Sequence, residues 1–324
     1  MERSTPSLWN VLAAEDCWTL SDGSAGNVRQ ATALARALGV QGSEWLLRPR
    51  PPWRWIAPRL LPGSRNAFGP DFAYALARPP VLAIGCGRQG ALATRLARSR
   101  GARAVQILDP RLSPALWDMI IAPRHDRLQG DNVLPLLGSL NPVDDGWLRL
   151  ARDAFPALGR SPRPRIAFLL GGPSPQVRYG PDRVAHWLDV VDTAIAQDGG
   201  QLMLAASRRT PIALRKAIRA RYANREALLW LDDTDGTNAY AGMLAWADRI
   251  VCSPDSVNMI SEACATYVPV FVAQAGEVRG RIRAFIDDLA ALGRVRPLET
   301  GLAPFRVEPL RETERIAQEL KARL

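Results

Sequence analysis

Short apolar runs alternate with longer amphipathic segments along most of this 324-residue chain. Each run is too short for a helix and is apolar on both faces, which is typical of a strand in the middle of a sheet. The longer segments have the length of helices. Because parallel strands can be joined only by a crossover of a dozen or more residues, this alternation predicts an α/β fold with parallel sheets.

The predicted strands fall into two groups. Five apolar runs lie in the C-terminal half, at residues 165–170, 202–206, 228–231, 250–252 and 270–273. Three lie in the N-terminal half, at residues 17–20, 81–84 and 104–108. The C-terminal group predicts a doubly wound unit, in which ligands bind at the carboxyl ends of the strands, and the N-terminal group predicts a second, less regular α/β domain.

The length of the chain also predicts two domains, since it exceeds what one hydrophobic core usually organises. Residues 159–164 are rich in helix breakers and are the best candidate linker. We therefore predict an N-terminal domain at residues 1–160 and a C-terminal domain at residues 161–324. Ile316, Leu320 and Leu324 have helical spacing and predict a terminal helix in the second domain.

Composition is that of a globular protein, with 47% hydrophobic and 23% charged residues. The formal net charge is +10, and arginine supplies nearly all the basic residues because Lys216 and Lys321 are the only lysines. These arginines are spread along the chain. The charge therefore favours anionic ligands without predicting a nucleic-acid partner.

The N-terminus lacks the apolar core of a signal peptide, and no window is long and uncharged enough to span a membrane, so we expect a cytoplasmic protein. The cysteines at positions 17, 86, 252 and 264 are too scattered for a zinc site or a disulfide framework. They are predicted to be buried free thiols, and no metal site is predicted.

Two loops in the C-terminal half combine groups that suit a nucleotide. Ser253, Asp255 and Ser256 precede a predicted helix, whose free N–H groups favour a phosphate, and Glu262 lies about two turns further on, where it can accept ribose hydroxyls. Residues 207–211 join another strand to a helix, and their two arginines can bind a diphosphate. The alternatives are a simple capped helix and a solvated basic turn.

A dinucleotide fingerprint is nearly satisfied by Gly85, Gly87 and Gly90, which follow a predicted strand, and by Asp109 at the end of the next strand. NAD would then place its pyrophosphate at the helix start and its ribose on Asp109. The alternative is a tight turn that lets the helix approach the sheet.

Two further candidates lie in the N-terminal half. Asp22 begins a loop that contains Gly26 and Asn27 and suits either a phosphate, an acceptor or a plain helix cap. His125, beside Asp126, can serve as a general base or can have a structural hydrogen-bonding role. His186 is assigned to packing or to the surface.

Residues 44–68 mix tryptophan and leucine with arginine. The part at residues 53–61, which includes Trp53, Trp55 and Leu61, favours the interface of an anionic bilayer and would place the protein at the inner face of the membrane. The alternative is a core-packing loop that is interrupted by prolines.

Together these motifs resemble the bacterial relatives of the plant mitochondrial fission protein Elm. The resemblance spans nearly the whole chain, and one departure is Ala239, where the family pattern has proline. The matching residues are Asp22, Gly23, Gly26, Asn27, Gln30, Pro110, Arg111, Asp118, Pro123, His125, Asp126, Gly130, Asn132, Val133, Gly171, Gly172, Pro173, residues 207–211, Asn238, Tyr240, Asp255, Ser256, Met259, Ser261, Glu262 and Ala263.

That family is similar to the GT-B glycosyltransferases, so the resemblance implies two facing Rossmann-like domains with a cleft between them. It implies a metal-independent glycosyltransferase that takes a nucleotide-diphosphate sugar as donor substrate, needs no cofactor, and uses an unknown acceptor of cell-envelope or lipid-linked type. The implied donor site comprises Gly172, Ser207, Arg208, Arg209, Asn238, Ser253, Asp255, Ser256 and Glu262. The implied acceptor side comprises Gly26, Asn27, Gln30, Arg88 and Asp126, with His125 or Asp22 as the catalytic base.

Two other functions stay open. A noncatalytic adaptor would keep the fold and bind a protein or membrane partner through its surface, as the fission role of the eukaryotic relatives implies. An NAD-dependent sugar-nucleotide enzyme would use Gly85 and Asp109.

Overall fold

The computed structural model describes residues 16–174 and 176–324, and their contacts divide them into two compact units. Unit 1 comprises the described residues up to Pro142 together with Glu312–Leu324, and unit 2 comprises Val143–Arg311. Each unit contains a six-stranded parallel sheet flanked by helices. The predicted α/β fold with two Rossmann-like units is confirmed.

Unit 1 has the strand order β2-β1-β3-β4-β5-β6, so the chain switches direction across the sheet between β1 and β3. Short 3-10 turns lie at Ser64–Asn66, Pro114–Leu116 and Arg124–Asp126. The strands are β1 (Cys17–Ser21), β2 (Ser43–Leu46), β3 (Leu82–Cys86), β4 (Arg103–Ile107), β5 (Met119–Pro123) and β6 (Val133–Leu136). The helices are α1 (Ala25–Leu38), α2 (Trp53–Ile56), α3 (Pro70–Ala75), α4 (Gly87–Arg98) and, from the end of the chain, α11 (Glu312–Arg323).

Unit 2 has the strand order β12-β11-β10-β7-β8-β9, with its switch between β7 and β10. Its 3-10 turns lie at Pro156–Arg160, Asp233–Asp235 and Leu298–Thr300. The strands are β7 (Arg165–Leu170), β8 (Gln201–Ala206), β9 (Ala227–Trp230), β10 (Arg249–Cys252), β11 (Val270–Val272) and β12 (Val295–Pro297). The helices are α5 (Asp145–Ala154), α6 (Pro181–Asp198), α7 (Ile212–Arg221), α8 (Tyr240–Trp246), α9 (Val257–Cys264) and α10 (Gly280–Ala291).

The terminal helix α11 forms as predicted, but it packs in unit 1 and not in the C-terminal unit. Ile316 and Leu320 are fully buried in the same core as the apolar face of α1. The Glu312 carboxylate accepts a hydrogen bond from the Leu137 backbone N–H at 2.7 Å, and the Thr313 hydroxyl accepts one from the Asn141 N–H at 2.9 Å. These polar contacts attach the start of α11 to unit 1.

The division between the units also differs from the predicted boundary after residue 160. It falls between Pro142 and Val143, because α5 packs against α8 within unit 2. The helix breakers at residues 159–164 end the 3-10 turn Pro156–Arg160 and lead into β7. They therefore mark the entry to the central strand of unit 2 and not a linker between units.

Two predictions about the chain as a whole can be compared with the described residues. The four cysteines are buried and unbridged, as predicted. Within residues 16–174 and 176–324, no helix combines the length and the apolar character that a membrane span requires.

Replacement of Leu320 by alanine tests the placement of α11. We expect a loss of about 2–4 kcal/mol in the free energy of unfolding, because the substitution leaves a cavity in a fully buried site. Hydrogen exchange should accelerate in peptides from unit 1, measured by mass spectrometry. Leu150→Ala is the control, since Leu150 is exposed. Faster exchange confined to unit 2 would contradict the assignment.

The cysteines provide a second test of the fold. Burial raises the pKa of Cys17 to about 12 and that of Cys264 to about 11, so both are neutral thiols at pH 8. A thiol reagent such as Ellman's should release no colour from the native protein and should report all four thiols in guanidinium chloride. A thiol that reacts stoichiometrically within minutes in the native protein would refute the burial.

Candidate functional site

The centre of the unit 2 sheet brings three loops together. Because β10, β7 and β8 are neighbours and parallel, the loops that follow them lie side by side at one edge of the sheet. These loops hold Gly171 and Gly172, residues 207–211, and residues 253–256. The switch between β7 and β10 lies at this edge, and open α/β sheets bind ligands at such a point.

The Asp255 carboxylate connects the three loops. Its side chain is fully buried, and its Oδ2 accepts hydrogen bonds from the Gly172 backbone N–H at 2.9 Å and the Arg209 guanidinium at 2.8 Å. Its Oδ1 accepts from the hydroxyls of Ser253 at 2.7 Å and Tyr179 at 2.8 Å. Burial and the adjacent carboxylate raise the pKa of Tyr179, so that hydroxyl stays protonated and donates. These four donors offset the cost of burying the carboxylate.

Glycine is required where the β7 loop meets this carboxylate. The Gly171 N–H donates to the Ser253 hydroxyl oxygen at 2.7 Å. A Cβ on Gly171 would lie 2.1 Å from Asp255 Oδ2, and a Cβ on Gly172 would lie 2.3 Å from the Arg209 carbonyl oxygen. Both distances are far inside van der Waals contact, so no other residue fits without moving the loops.

The two adjacent arginines of the β8 loop have different environments. Arg209 forms the ion pair with Asp255, and its backbone N–H donates to the Ser207 hydroxyl at 3.2 Å. The side chain of Arg208 is exposed, and no residue in the described part of the chain pairs with its guanidinium. Arg209 is exposed as well, but its guanidinium is engaged with Asp255, whereas that of Arg208 has no partner among the described residues and can contact a ligand.

Helix α9 starts at the same edge with a regular cap. The Ser256 hydroxyl accepts from the Met259 backbone N–H at 3.3 Å, which satisfies one donor of the first turn. The N–H groups of Val257 and Asn258 precede the first intrahelical hydrogen bond and remain donors. At the other end, the buried Arg294 donates to the carbonyl groups of Ala263 and Cys264 in the last turn and of Thr266 just after the helix.

Glu262 lies on the buried side of α9, with 2% of its surface exposed. The Tyr240 hydroxyl donates to its Oε2, and the Tyr240 backbone N–H donates to Asn238 Oδ1 at 2.9 Å. Helix α8 begins directly after Ala239, so proline is not needed at that position for the helix to start. The structure therefore links Asn238 to Glu262 through Tyr240.

In unit 1, Asp22 organises the loop after β1. Its carboxylate accepts from the Ser24 N–H at 3.0 Å, the Ser24 hydroxyl at 2.7 Å and the Asn27 amide at 3.0 Å. Burial raises the pKa of Asp22, but these hydrogen bonds outweigh burial and hold the pKa below its ordinary value. The Cys86 thiol donates to Asn27 Oδ1 at 3.4 Å, which connects the loop to the end of β3.

Three other predicted acceptor-side residues, Gly26, Gln30 and Arg88, lie near this loop. Gly26 is in the first turn of α1, and Gln30 is buried one turn later, where its Oε1 has no hydrogen-bond partner among the described residues. Arg88 is exposed at the start of α4, and its guanidinium donates to the Arg54 carbonyl at 2.9 Å. These residues therefore share the switch point between β1 and β3.

His125 and Asp126 lie elsewhere on the same sheet edge, in the 3-10 turn after β5. The strand order puts β5 three positions from β1, which corresponds to about 14 Å at the usual strand spacing. The two candidate bases, His125 and Asp22, are thus not neighbours. His186 is exposed on α6, as expected. No group of three or more possible metal ligands occurs within the described ranges.

The glycines of the dinucleotide-like motif are explained by packing. A Cβ on Gly90 would lie 2.6 Å from the Leu20 carbonyl oxygen, and a Cβ on Gly85 would lie 2.7 Å from the Gly90 carbonyl oxygen. Asp109 accepts from the Arg111 backbone N–H at 2.7 Å and closes a turn. The glycines therefore let α4 lie close to the sheet. This agrees with the predicted alternative to a dinucleotide site, a tight turn that lets the helix approach the sheet.

Tyr179 and Thr210 have roles at this site that the sequence does not predict. Tyr179 precedes α6 and reaches Asp255, which is 76 residues later in the chain. The buried Thr210 hydroxyl donates to the Gly171 carbonyl oxygen. No local pattern predicts either contact, because each joins two loops that only the sheet order makes adjacent.

Comparison with solved structures defines the class of fold. The chain is similar to a UDP-GlcNAc 2-epimerase from Methanocaldococcus jannaschii, with a TM-score of 0.53 and 12% identity over 94% of this chain and 99% of that chain. A Listeria monocytogenes structure named for the same activity gives a TM-score of 0.50 and 10% identity over 96% and 88% of the two chains. The structure of Acinetobacter baumannii MurG gives a TM-score of 0.47 and 15% identity over 95% of this chain and 90% of that chain. The two structures with TM-scores of 0.50 or more support a two-unit α/β fold of the GT-B type, which the family resemblance implies.

Comparison of sequences identifies the family. The pattern of the family described as "Mitochondrial fission ELM1" matches residues 25–324, and the chain belongs to this family. It is 31% identical over 282 residues to mitochondrial fission protein ELM1 of Arabidopsis thaliana. This match covers 75% of this chain and 65% of that protein. An uncharacterized protein of Rickettsia prowazekii is 23% identical in an alignment 355 positions long. This match covers 94% of this chain and 97% of that protein.

Replacement of Gly171 by alanine tests the contact between the loops. We expect unfolding to become easier by at least about 2 kcal/mol, because the new methyl group overlaps the buried carboxylate. Gly276→Ala is the matched control, since no atom lies within 4 Å of the position that its Cβ would take. Equal denaturation midpoints for the two variants would show that Asp255 does not hold the β7 loop.

Proposed function

We propose that unit 2 binds a nucleotide-diphosphate sugar and that the chain is a metal-independent glycosyltransferase. The observation that carries the proposal is the junction of three loops on the Asp255 carboxylate, beside the start of α9 and the exposed Arg208. This junction lies at the switch point of a parallel sheet, where such folds bind nucleotides.

The diphosphate would contact donors and not Asp255 itself. The N–H groups of Val257 and Asn258 and the guanidinium of Arg208 supply hydrogen bonds and positive charge for an anion. The oxygens of Asp255 already accept four hydrogen bonds from the protein. Its part is to position Gly172, Ser253 and the helix start around the phosphates.

The nucleoside would lie toward Glu262. A carboxylate can accept two hydrogen bonds from the vicinal hydroxyls of a ribose, and Tyr240 holds this carboxylate in place. Because Glu262 is almost fully buried, ribose binding requires Tyr240 to share or release the carboxylate. The names of the two structures with TM-scores of 0.50 or more specify UDP-linked sugars, which supports a donor of this class.

Transfer would begin when a base removes the proton of an acceptor hydroxyl. The oxygen then attacks the anomeric carbon, and the bond from that carbon to the diphosphate breaks, with the charge received by Arg208 and the α9 start. A general base works best with a pKa near the operating pH, so the low pKa of Asp22 makes it the weaker candidate and favours His125.

Calorimetry with UDP, GDP and inorganic pyrophosphate tests the donor site. Arg208→Ala should weaken binding of the preferred nucleotide and of pyrophosphate by at least about tenfold, the worth of a charge-assisted hydrogen bond. Glu262→Gln should weaken only the nucleotide, because pyrophosphate has no ribose. Arg160→Ala, in an exposed arginine of the same unit, should change neither. Failure of the native protein to bind any nucleotide would refute the donor site.

A noncatalytic adaptor is the second candidate, because the family description names mitochondrial fission and no reaction. In that case unit 2 would bind a nucleotide or a protein partner without transferring sugar. A radiolabelled nucleotide sugar that binds but yields neither a transferred sugar nor a hydrolysed one would favour the adaptor. Release of the nucleoside diphosphate by the native protein, but not by Arg208→Ala, would favour the enzyme.

A further inference from the structure

Residues 45–70 of unit 1 are basic without a compensating acid. They contain the five arginines at positions 48, 50, 54, 59 and 65 and no aspartate or glutamate. All five side chains are exposed, and none forms an ion pair with another residue in the described part of the chain. This stretch is therefore a local surface of positive charge, in contrast to the arginines of unit 2 that pair with aspartates.

The same stretch exposes large apolar side chains. Trp55 is 66% exposed, Leu46 56%, Leu61 49% and Leu60 37%. Clusters of exposed apolar groups with polar neighbours on a folded surface mark sites of interaction, whereas single exposed residues are ordinary. We call these four residues, together with the five arginines, the arginine–tryptophan face.

The face belongs to an ordered segment. The buried Ser64 hydroxyl accepts from the Trp53 indole N–H at 3.0 Å and from the Leu61 backbone N–H at 2.8 Å. The Arg95 guanidinium of α4 donates to the Pro58 carbonyl at 2.7 Å. Trp53 packs against the core while Trp55, two residues later, is outside it. Hydrogen bonds and core packing therefore hold this segment in place, with Trp53 against the core and Trp55 exposed.

An open cavity of about 720 Å³ adjoins this face at the edge of the unit 1 sheet. Three arginines line it, namely Arg48, Arg54 and Arg88, and Trp55 forms part of its wall. Asp22 is the one acid among its lining residues. A cavity with this excess of guanidinium groups can take a phosphate headgroup, because arginine forms bidentate hydrogen bonds with phosphate oxygens.

We propose that the arginine–tryptophan face docks unit 1 on an anionic lipid bilayer. Tryptophan and leucine enter the boundary between headgroups and acyl chains, while arginines bind lipid phosphates around them. A nucleic acid would match the charge but not the exposed leucines, and an apolar protein groove would match the leucines but not five unpaired arginines. The combination fits a surface that is both anionic and apolar.

Sedimentation with vesicles tests this proposal without any nucleotide, so its outcome is independent of the donor site. The full chain should sediment with phosphatidylcholine vesicles that contain about one third phosphatidylglycerol, and much less with pure phosphatidylcholine. Added salt should weaken the binding, since the attraction between exposed charges is screened. The paired substitution Arg54→Gln and Arg59→Gln should weaken it roughly 25-fold, about fivefold per arginine.

The apolar contribution is measured with Trp55→Ser combined with Leu61→Ser, for which we expect at least a tenfold loss. The matched controls are Tyr74→Ser, in an exposed aromatic residue outside the face, and the pair Arg78→Gln and Arg100→Gln. Both controls should sediment like the native chain. Equal binding to neutral and anionic vesicles, unchanged binding of the face variants, or a stable dimer that forms through the face instead would overturn the proposal.

Discussion

The unit 2 site depends on one buried charge, the Asp255 carboxylate. It lies at the switch point of the sheet, removed from water, and is stable there because two hydroxyls, a backbone N–H and a guanidinium donate to it. The donors come from loops far apart in the chain, so satisfying the charge also fixes how those loops lie relative to one another. The glycines at 171 and 172 follow from the same constraint, since the backbone must come closer to the Asp255 carboxylate and the Arg209 carbonyl than any Cβ allows.

Charge balance at this junction explains why neighbouring arginines have separate parts. An unneutralised carboxylate at the start of α9 would repel a diphosphate, and Arg209 removes that repulsion by pairing with Asp255. What remains near the surface is the positive end of α9 and the Arg208 guanidinium. Two adjacent arginines in a sequence suggest that both bind one diphosphate. In the structure Arg209 pairs with Asp255, so the proposed diphosphate contact falls to Arg208.

Patterning predicts β1, β3, β4 and the strands from β7 to β11, and β7 and β8 lie within a residue of their predicted bounds. It misses β6 and the buried interior strand β5. It does not predict the edge strands β2 and β12, which are largely exposed and have no continuous apolar run.

For α11 the apolar stripe predicts that the helix packs, but not on which core. That choice is made by Glu312 and Thr313, whose partners lie more than 170 residues earlier and leave no periodic signal. The loops of the candidate site can be predicted because they follow the apolar runs of β7, β8 and β10. The contacts that join these loops depend on the order of the strands in the sheet.

The fold holds Trp55 at the surface of unit 1, and a lack of space in the core is not the cause. Two residues earlier, Trp53 has the same side chain, and it is held by Ser64 and packed against the core of unit 1. The Ser64 turn also fixes Leu61, so the alternation of inward and outward residues is maintained by hydrogen bonds from both ends of the segment. The Trp55 indole is exposed to solvent, which is unfavourable for an apolar group. The five arginines of the face form no ion pair within the described residues, so their positive charge is unbalanced there. Contact with one anionic, partly apolar surface would relieve both, and this is the physical reason for the membrane partner that we propose.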